Sequence, residues 1–161
     1  MEPLEPPALH QAQAAYGWLE LGNVEEAFAE LERLPEELQL LPAVQAVRLD
    51  CLMAAKDWNA AVKLAQVLCG QWAEEPGLWL HHAYATRRCA GGSIEAAYEL
   101  LAPCVERFPE EWLIPYNVAC YLCQMERLDE ARAMLEMARA KGGERVDAMA
   151  KDDEDLAPLF V

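Results

Sequence analysis

Apolar residues recur along this chain at helical spacing, in blocks separated by short polar or glycine-bearing turns. From Ala8 to Leu21 the stripe is Ala14, Ala15, Trp18 and Leu21. Gly22-Asn23 breaks it, with the glycine suited to a left-handed helix end. Val24 to Leu34 gives a partner helix with Ala27 and Leu31 inward, and Pro35 ends it. A second pair follows from about Pro42, through Val44, Val47, Leu49, Leu52 and Met53. It turns at Lys56-Asp57, and Asp57 caps a helix carrying Trp58, Ala61, Val62, Ala65 and Leu68. Arg48 falls where that stripe wants an apolar residue. The third pair opens after Pro76-Gly77 with Trp79, Ala83 and Thr86, and makes a longer turn at Ala90-Gly-Gly92. Ser93 caps its second helix, whose stripe is Ala97, Leu101 and Cys104. Pro103 inside that helix predicts a kink, and Pro109 closes the unit. The fourth pair is the clearest: Val118, Ala119 and Leu122, a turn at Glu126-Arg127, then Leu128, Ala131, Leu135 and Ala138, ending at Lys141-Gly-Gly143.

The alanine expected at the tightest crossing of each second helix is Ala27, Ala61, Ala97 and Ala131, spaced by 34, 36 and 34 residues. Two extra residues in the Ala90–Gly92 turn account for the 36. Two helices cannot bury both stripes alone, so such units stack. The fold class read from this is all-α, with about four helix–turn–helix repeats at residues 8–41, 42–75, 76–110 and 111–143. Residues 1–7, rich in proline, read as a flexible leader. Residues 144–161 read as a C-terminal cap: a short helix through Val146, Met149 and Ala150, an acidic turn at 152–155, and Leu156, Leu159 and Phe160 folding back.

A 34-residue helix–turn–helix period resembles the tetratricopeptide repeat (TPR) family, whose pattern runs W-x2-L-G-x2-Y, A-x3-F, P. Trp79, Ala97-x3-Leu101 and Pro109 match it in the third unit. Gly22-Asn-Val-Glu-Glu-Ala27 and Arg127-Leu-Asp-Glu-Ala131 are similar to the family's turn into the second helix. The tail Lys151–Leu159 is similar to endings after the last repeat in bacterial TPR proteins. The second unit departs most from the pattern. The resemblance implies a right-handed α-solenoid whose first helices line a concave groove for a peptide or helix of a partner protein. On that reading the groove is lined by Gln13, Tyr16 and Glu20; Asp50 and Met53; His81, Tyr84, Arg87 and Arg88; and Tyr116, Asn117, Cys120, Cys123 and Gln124. Rings supply contact area, while guanidinium and amide groups grip carboxylates and backbone. Arg87 and Arg88 equally suit neighbouring glutamates or the carbonyl end of their own helix. The basic and asparagine clamp of TPR proteins that hold heat-shock chaperone tails has no counterpart in the first unit.

Charge narrows the partner class. The formal net charge is −15, which repels nucleic-acid phosphates and reads as solvated outward faces. The Met1–Pro7 start lacks the basic and apolar regions of a secretory signal, so a cytoplasmic location is expected. The acidic helix faces do not suit a membrane surface. Six cysteines at 51, 69, 89, 104, 120 and 123 all fall in helical patterns, and are read as reduced packing thiols. Cys120-x2-Cys123 has zinc-site spacing, yet only His81-His82 offers further ligands, and adjacent histidines diverge on a helix. No metal or cofactor is expected. Nor is catalysis, because phosphate loop, nucleophile elbow and spaced Ser/His/Asp sets are missing from the sequence. The reading is a non-enzymatic interaction module or adaptor with an unidentified protein or peptide partner, itself a monomer or weak homodimer. A dedicated chaperone of a bacterial secretion substrate and a self-associating structural protein are the alternatives.

Overall fold

The computed structural model describes residues 4–160. Those residues are all-helical, with no strand among them. The helices are α1 (Ala8–Glu20), α2 (Val24–Glu32), α3 (Glu36–Gln39), α4 (Pro42–Ala54), α5 (Trp58–Gln71), α6 (Pro76–Arg88), α7 (Ile94–Leu101), α8 (Cys104–Arg107), α9 (Leu113–Gln124), α10 (Leu128–Gly142) and α11 (Glu144–Ala150). A 3-10 helix, Glu154–Leu159, closes the chain. The chain divides into two compact units, residues 1–85 and 86–161, and the division falls inside α6. No helix of the described residues is long and apolar enough to cross a membrane.

In the first unit α1 packs on α2, and α4 packs on α5 and on α1, α2 and α3. Ala8, Ala12, Ala15, Ala27, Leu31, Val44, Val47 and Cys51 form one core cluster, flanked by Trp18, Leu19 and Phe28. A second cluster joins Leu49, Ala61, Ala65 and Leu68 to Leu78 and Ala85. In the second unit α9 lies against α10 and contacts α7, α8 and the 3-10 helix. Ala27, Ala61, Ala97 and Ala131 are each completely buried, which is what a close helix crossing demands of the residue between the axes.

Small polar side chains cap three of these helices, α2, α5 and α7. Asn23 accepts from the Glu26 amide at 3.3 Å, Asp57 from Ala60 at 3.1 Å, and Ser93 from Ala96 at 3.1 Å. α10 lacks such a cap: Arg127 stands at its N-cap and pairs instead with Glu130. All four turns use a left-handed residue, at Gly22, Lys56, Gly91 and Glu126. The repeated turn thus keeps its geometry even where the residue is not glycine.

Several details differ from the sequence expectation. Leu21 is 76% exposed, because the inner face of α1 runs through Ala8, Ala12 and Ala15. Pro103 does more than kink its helix: α7 stops at Leu101 and α8 restarts at Cys104. A ring without an N–H that clashes with the preceding turn ends the ladder outright there. Arg48 is no misfit, since its guanidinium donates to the Gln39 side chain at 3.0 Å. Gln39 in turn donates to the Leu34 carbonyl at 2.8 Å, tying down α3, which periodicity did not predict. Within the leader, Leu4 packs against the first core cluster and Pro7 stands at the start of α1, while residues 1–3 lie outside the described residues. The tail does fold back at Leu156, which is fully buried. Leu159 is half-buried and Phe160 is 54% exposed. Val161, placed in the cap by sequence, is not among the described residues.

The turns give a test with opposite signs. Lys56 and Glu126 are exposed and hold φ near +60°, a conformation that costs a side-chain-bearing residue about 1 kcal/mol relative to glycine. Lys56→Gly and Glu126→Gly are each expected to raise Tm by ~2–4 °C in thermal unfolding followed by CD. Gly92→Ala is expected to lower it by more, because a Cβ there would sit 1.8 Å from the Thr86 carbonyl oxygen. Equal effects of the three changes would contradict this account of the turns.

Candidate functional site

The first unit brings Tyr16 from α1, Asp50 from α4 and His81 from α6 together. The Tyr16 hydroxyl donates to Asp50 Oδ2 at 2.8 Å, and His81 Nδ1 stands 3.6 Å from Asp50 Oδ1. Tyr16 and Asp50 are 34 residues apart, and the helices that supply them, α1 and α4, pack on each other. Burial pushes the Asp50 carboxyl above the usual range, opposed by His81 and by the Tyr16 hydrogen bond. Burial and then the Asp50 charge push the Tyr16 phenol up too, which keeps it a donor. The Tyr16 ring remains 46% exposed. Tyr84 also lies on the surface, edge-on to Trp58 with centroids 5.8 Å apart. Gln13 and Glu20 are exposed and Met53 is half-buried.

The second unit arranges its predicted residues differently. Tyr116, Cys120 and Cys123 are buried, not presented to solvent. What covers Tyr116 and Cys120 is the chain's own acidic segment. The Tyr116 hydroxyl donates to Asp153 Oδ2 at 2.7 Å, and the Cys120 thiol lies 3.6 Å from the same oxygen. Arg87, from the end of α6, grips Asp155 with both guanidinium arms: Nη1 meets Oδ2, and Nη2 donates to Oδ1 at 2.9 Å. Gln124 Nε2 donates to the Asp155 main-chain carbonyl at 3.2 Å. The Asp155 amide donates to Asp153 Oδ1 at 3.0 Å, so the two carboxylates are fixed relative to each other. Leu156 follows and is fully buried, which contributes ~2 kcal/mol. The acidic turn at 152–155 therefore has two of its carboxylates turned inward, and only Asp152 and Glu154 stay exposed.

Electrostatics matches this geometry. Asp155 raises the Arg87 guanidinium above its usual value, chiefly through the hydrogen bond. Burial, then Asp153, push the Tyr116 phenol and the Cys120 thiol well above their usual ranges. Arg87 also stands over the Tyr121 ring, 5.9 Å from its centroid, and burial pushes that phenol up to about 12. Asn117 spends its amide on the Leu113 carbonyl of its own helix at 2.9 Å. Arg88 is half-buried at the end of α6, its charge favouring the ionised Tyr121 phenol.

The six thiols are unbridged, and all but Cys89 are buried. Burial pushes Cys51 up to about 11, so it is a protonated packing group. No cluster of three or more potential metal ligands exists among the described residues. No protein-family model matches the chain, and no curated protein matches it. The repeat spacing and the geometry of the two faces therefore carry the functional reading.

Periodicity found the side chains of both faces but missed that Asp153 and Asp155 engage them. The available signal was the Asp-x-Asp-Leu order, in which an apolar anchor directly follows the carboxylates.

Asp50 makes a pH prediction. Its raised pKa means that the folded state binds the proton more tightly than the unfolded chain, whose ordinary value is 3.8. Stability from this group is present below 3.8 and is lost as pH rises through the folded value. Asp50→Asn keeps an oxygen for Tyr16 and removes the buried charge. It is expected to raise Tm at pH 7 and to leave it unchanged at pH 3, as measured by calorimetry. A lowered Tm at pH 7 would mean that the His81 and Tyr16 contacts outweigh burial.

Proposed function

We propose that this chain is a small TPR-type repeat protein, a non-enzymatic interaction module whose first-helix faces bind a peptide or helix of a partner protein. One observation carries this reading: the face formed by Arg87, Tyr116 and Gln124 already holds a peptide segment, through side-chain grips on two carboxylates and an amide grip on a main-chain carbonyl. That combination is how a protein surface reads a peptide, with fixed charge for the side chains and an amide for the backbone. The comparable cluster on the first unit, Tyr16, Asp50 and His81, keeps an exposed ring and a small hollow of about 160 Å³ beside Asp50 and His81. Phenols and thiols pushed upward by burial suit donors and packing groups better than nucleophiles or bases, which supports a binding role over a catalytic one.

Photo-crosslinking in cells tests this. A benzophenone amino acid in place of Tyr84, on α6, is expected to give a discrete adduct with one partner. The same group in place of Val67, which is exposed on α5, is expected to give none. Tyr16→Ala with His81→Ala should weaken the Tyr84 adduct at least fivefold while leaving helical CD unchanged. Adducts from Val67 alone, or from neither position, would overturn the proposal.

A further inference from the structure

The acidic segment on α9 has the marks of a bound ligand as well as of a cap. Its hold on the face is polar and directional, through Arg87, Tyr116 and Gln124. Its apolar insertion is a single residue, Leu156, since Leu159 is half-buried and Phe160 points to solvent. It is a six-residue 3-10 helix with Pro158 inside, a weakly self-supporting element that opens at lower cost than an α-helix of the core. It is also an exception to the charge pattern of the chain. With a net charge of −15, acids outnumber bases, and the other bidentate pair, Arg127 with Glu130, lies at the surface; Asp155 instead meets an arginine that is mostly buried, at 18% side-chain exposure.

We infer that the face of Arg87, Tyr116 and Gln124 is a recognition site for an acidic segment of a partner protein, carrying carboxylates two residues apart followed by a leucine, and that Asp153–Leu156 occupies it as an internal competitor. The inference rests on the interaction reading above and names its ligand class. The geometry sets the register. Arg87 takes the second carboxylate, the Tyr116 hydroxyl takes the first, and Gln124 takes the main-chain carbonyl between the second acid and the leucine. A tethered segment competes at an effective concentration of about millimolar, so the site is masked against weak ligands and opened by good ones.

The probe is a fluorescent peptide with the sequence of residues 151–160. The full chain carrying Asp153→Asn and Asp155→Asn, which preserve side-chain shape and Leu156, is expected to bind it at least tenfold more tightly than wild type does. Adding Arg87→Gln should abolish that binding, as should asparagine at both acidic positions of the peptide. Equal affinity for wild type and the double variant, or indifference to Arg87→Gln, would overturn the inference. If the double variant loses its helical CD, NMR of the wild-type chain decides. Millimolar peptide should sharpen the amide signals of residues 151–160 as the tail is released, and no change would overturn the inference. A wild-type dimer in light scattering that dissociates with Arg87→Gln would assign the site to a second copy's tail, and so overturn it as well. Crosslinking at Tyr84 reads out the first unit alone. If that adduct persists while the peptide fails to bind, the inference falls and the interaction reading stands.

Discussion

A helix buried on nearly every side needs a partner for each polar group it carries inward, and α9 meets that requirement through residues more than thirty positions away in the chain. Nine of its twelve residues are buried. Tyr116 and Cys120 would be costly to bury alone, at about 1–3 kcal/mol for an unpaired hydroxyl. Asp153 answers both. Asp155 then satisfies Arg87, whose guanidinium stands over the Tyr121 ring. The Tyr121 hydroxyl is the exception, buried with no hydrogen-bond partner among the described residues. The second unit is thus closed by these polar contacts together with the burial of Leu156, whereas the core clusters of the first unit are apolar.

The helical pairs obey a simpler constraint. A methyl group stands at each close crossing, a left-handed residue makes each turn, and a small polar cap starts three of the four second helices. Position within each helical pair therefore constrains residue size and backbone conformation more than residue identity. The two units carry different polar clusters: a tyrosine, aspartate and histidine cluster in one, an arginine and tyrosine clasp in the other.

Much of the helical layout was legible because each helix has a long enough stripe, and each boundary a glycine, proline or capping residue, to register at 3.6-residue spacing. Ala27, Ala61, Ala97 and Ala131 could be named in advance for that reason. Leu21 misled because it continues the spacing one step past the helix end, where nothing remains to bury it. α3 was invisible because four residues cannot show a period, and its support comes from the side chain of Gln39. The tail contacts were missed for a different reason. Periodicity places side chains on faces of their own helix, but the pairing of Asp155 with Arg87 spans 68 positions and depends on where α11 aims the chain. Charge alone argued for solvent there, and only the position of Leu156 beside the acids argued otherwise.

The central claim, that the acidic segment seals the face of α9, is tested most directly by the reactivity of Cys120. Its thiol is buried directly under Asp153, while Cys51 is buried in the core of the other unit. Alkylation followed by peptide mass spectrometry should find both protected in the wild-type chain. In an Asp155→Ala variant Cys120 should react at least tenfold faster, with Cys51 unchanged. If Cys120 reacts equally fast with and without Asp155, or if both thiols become reactive together, the segment does not seal that face.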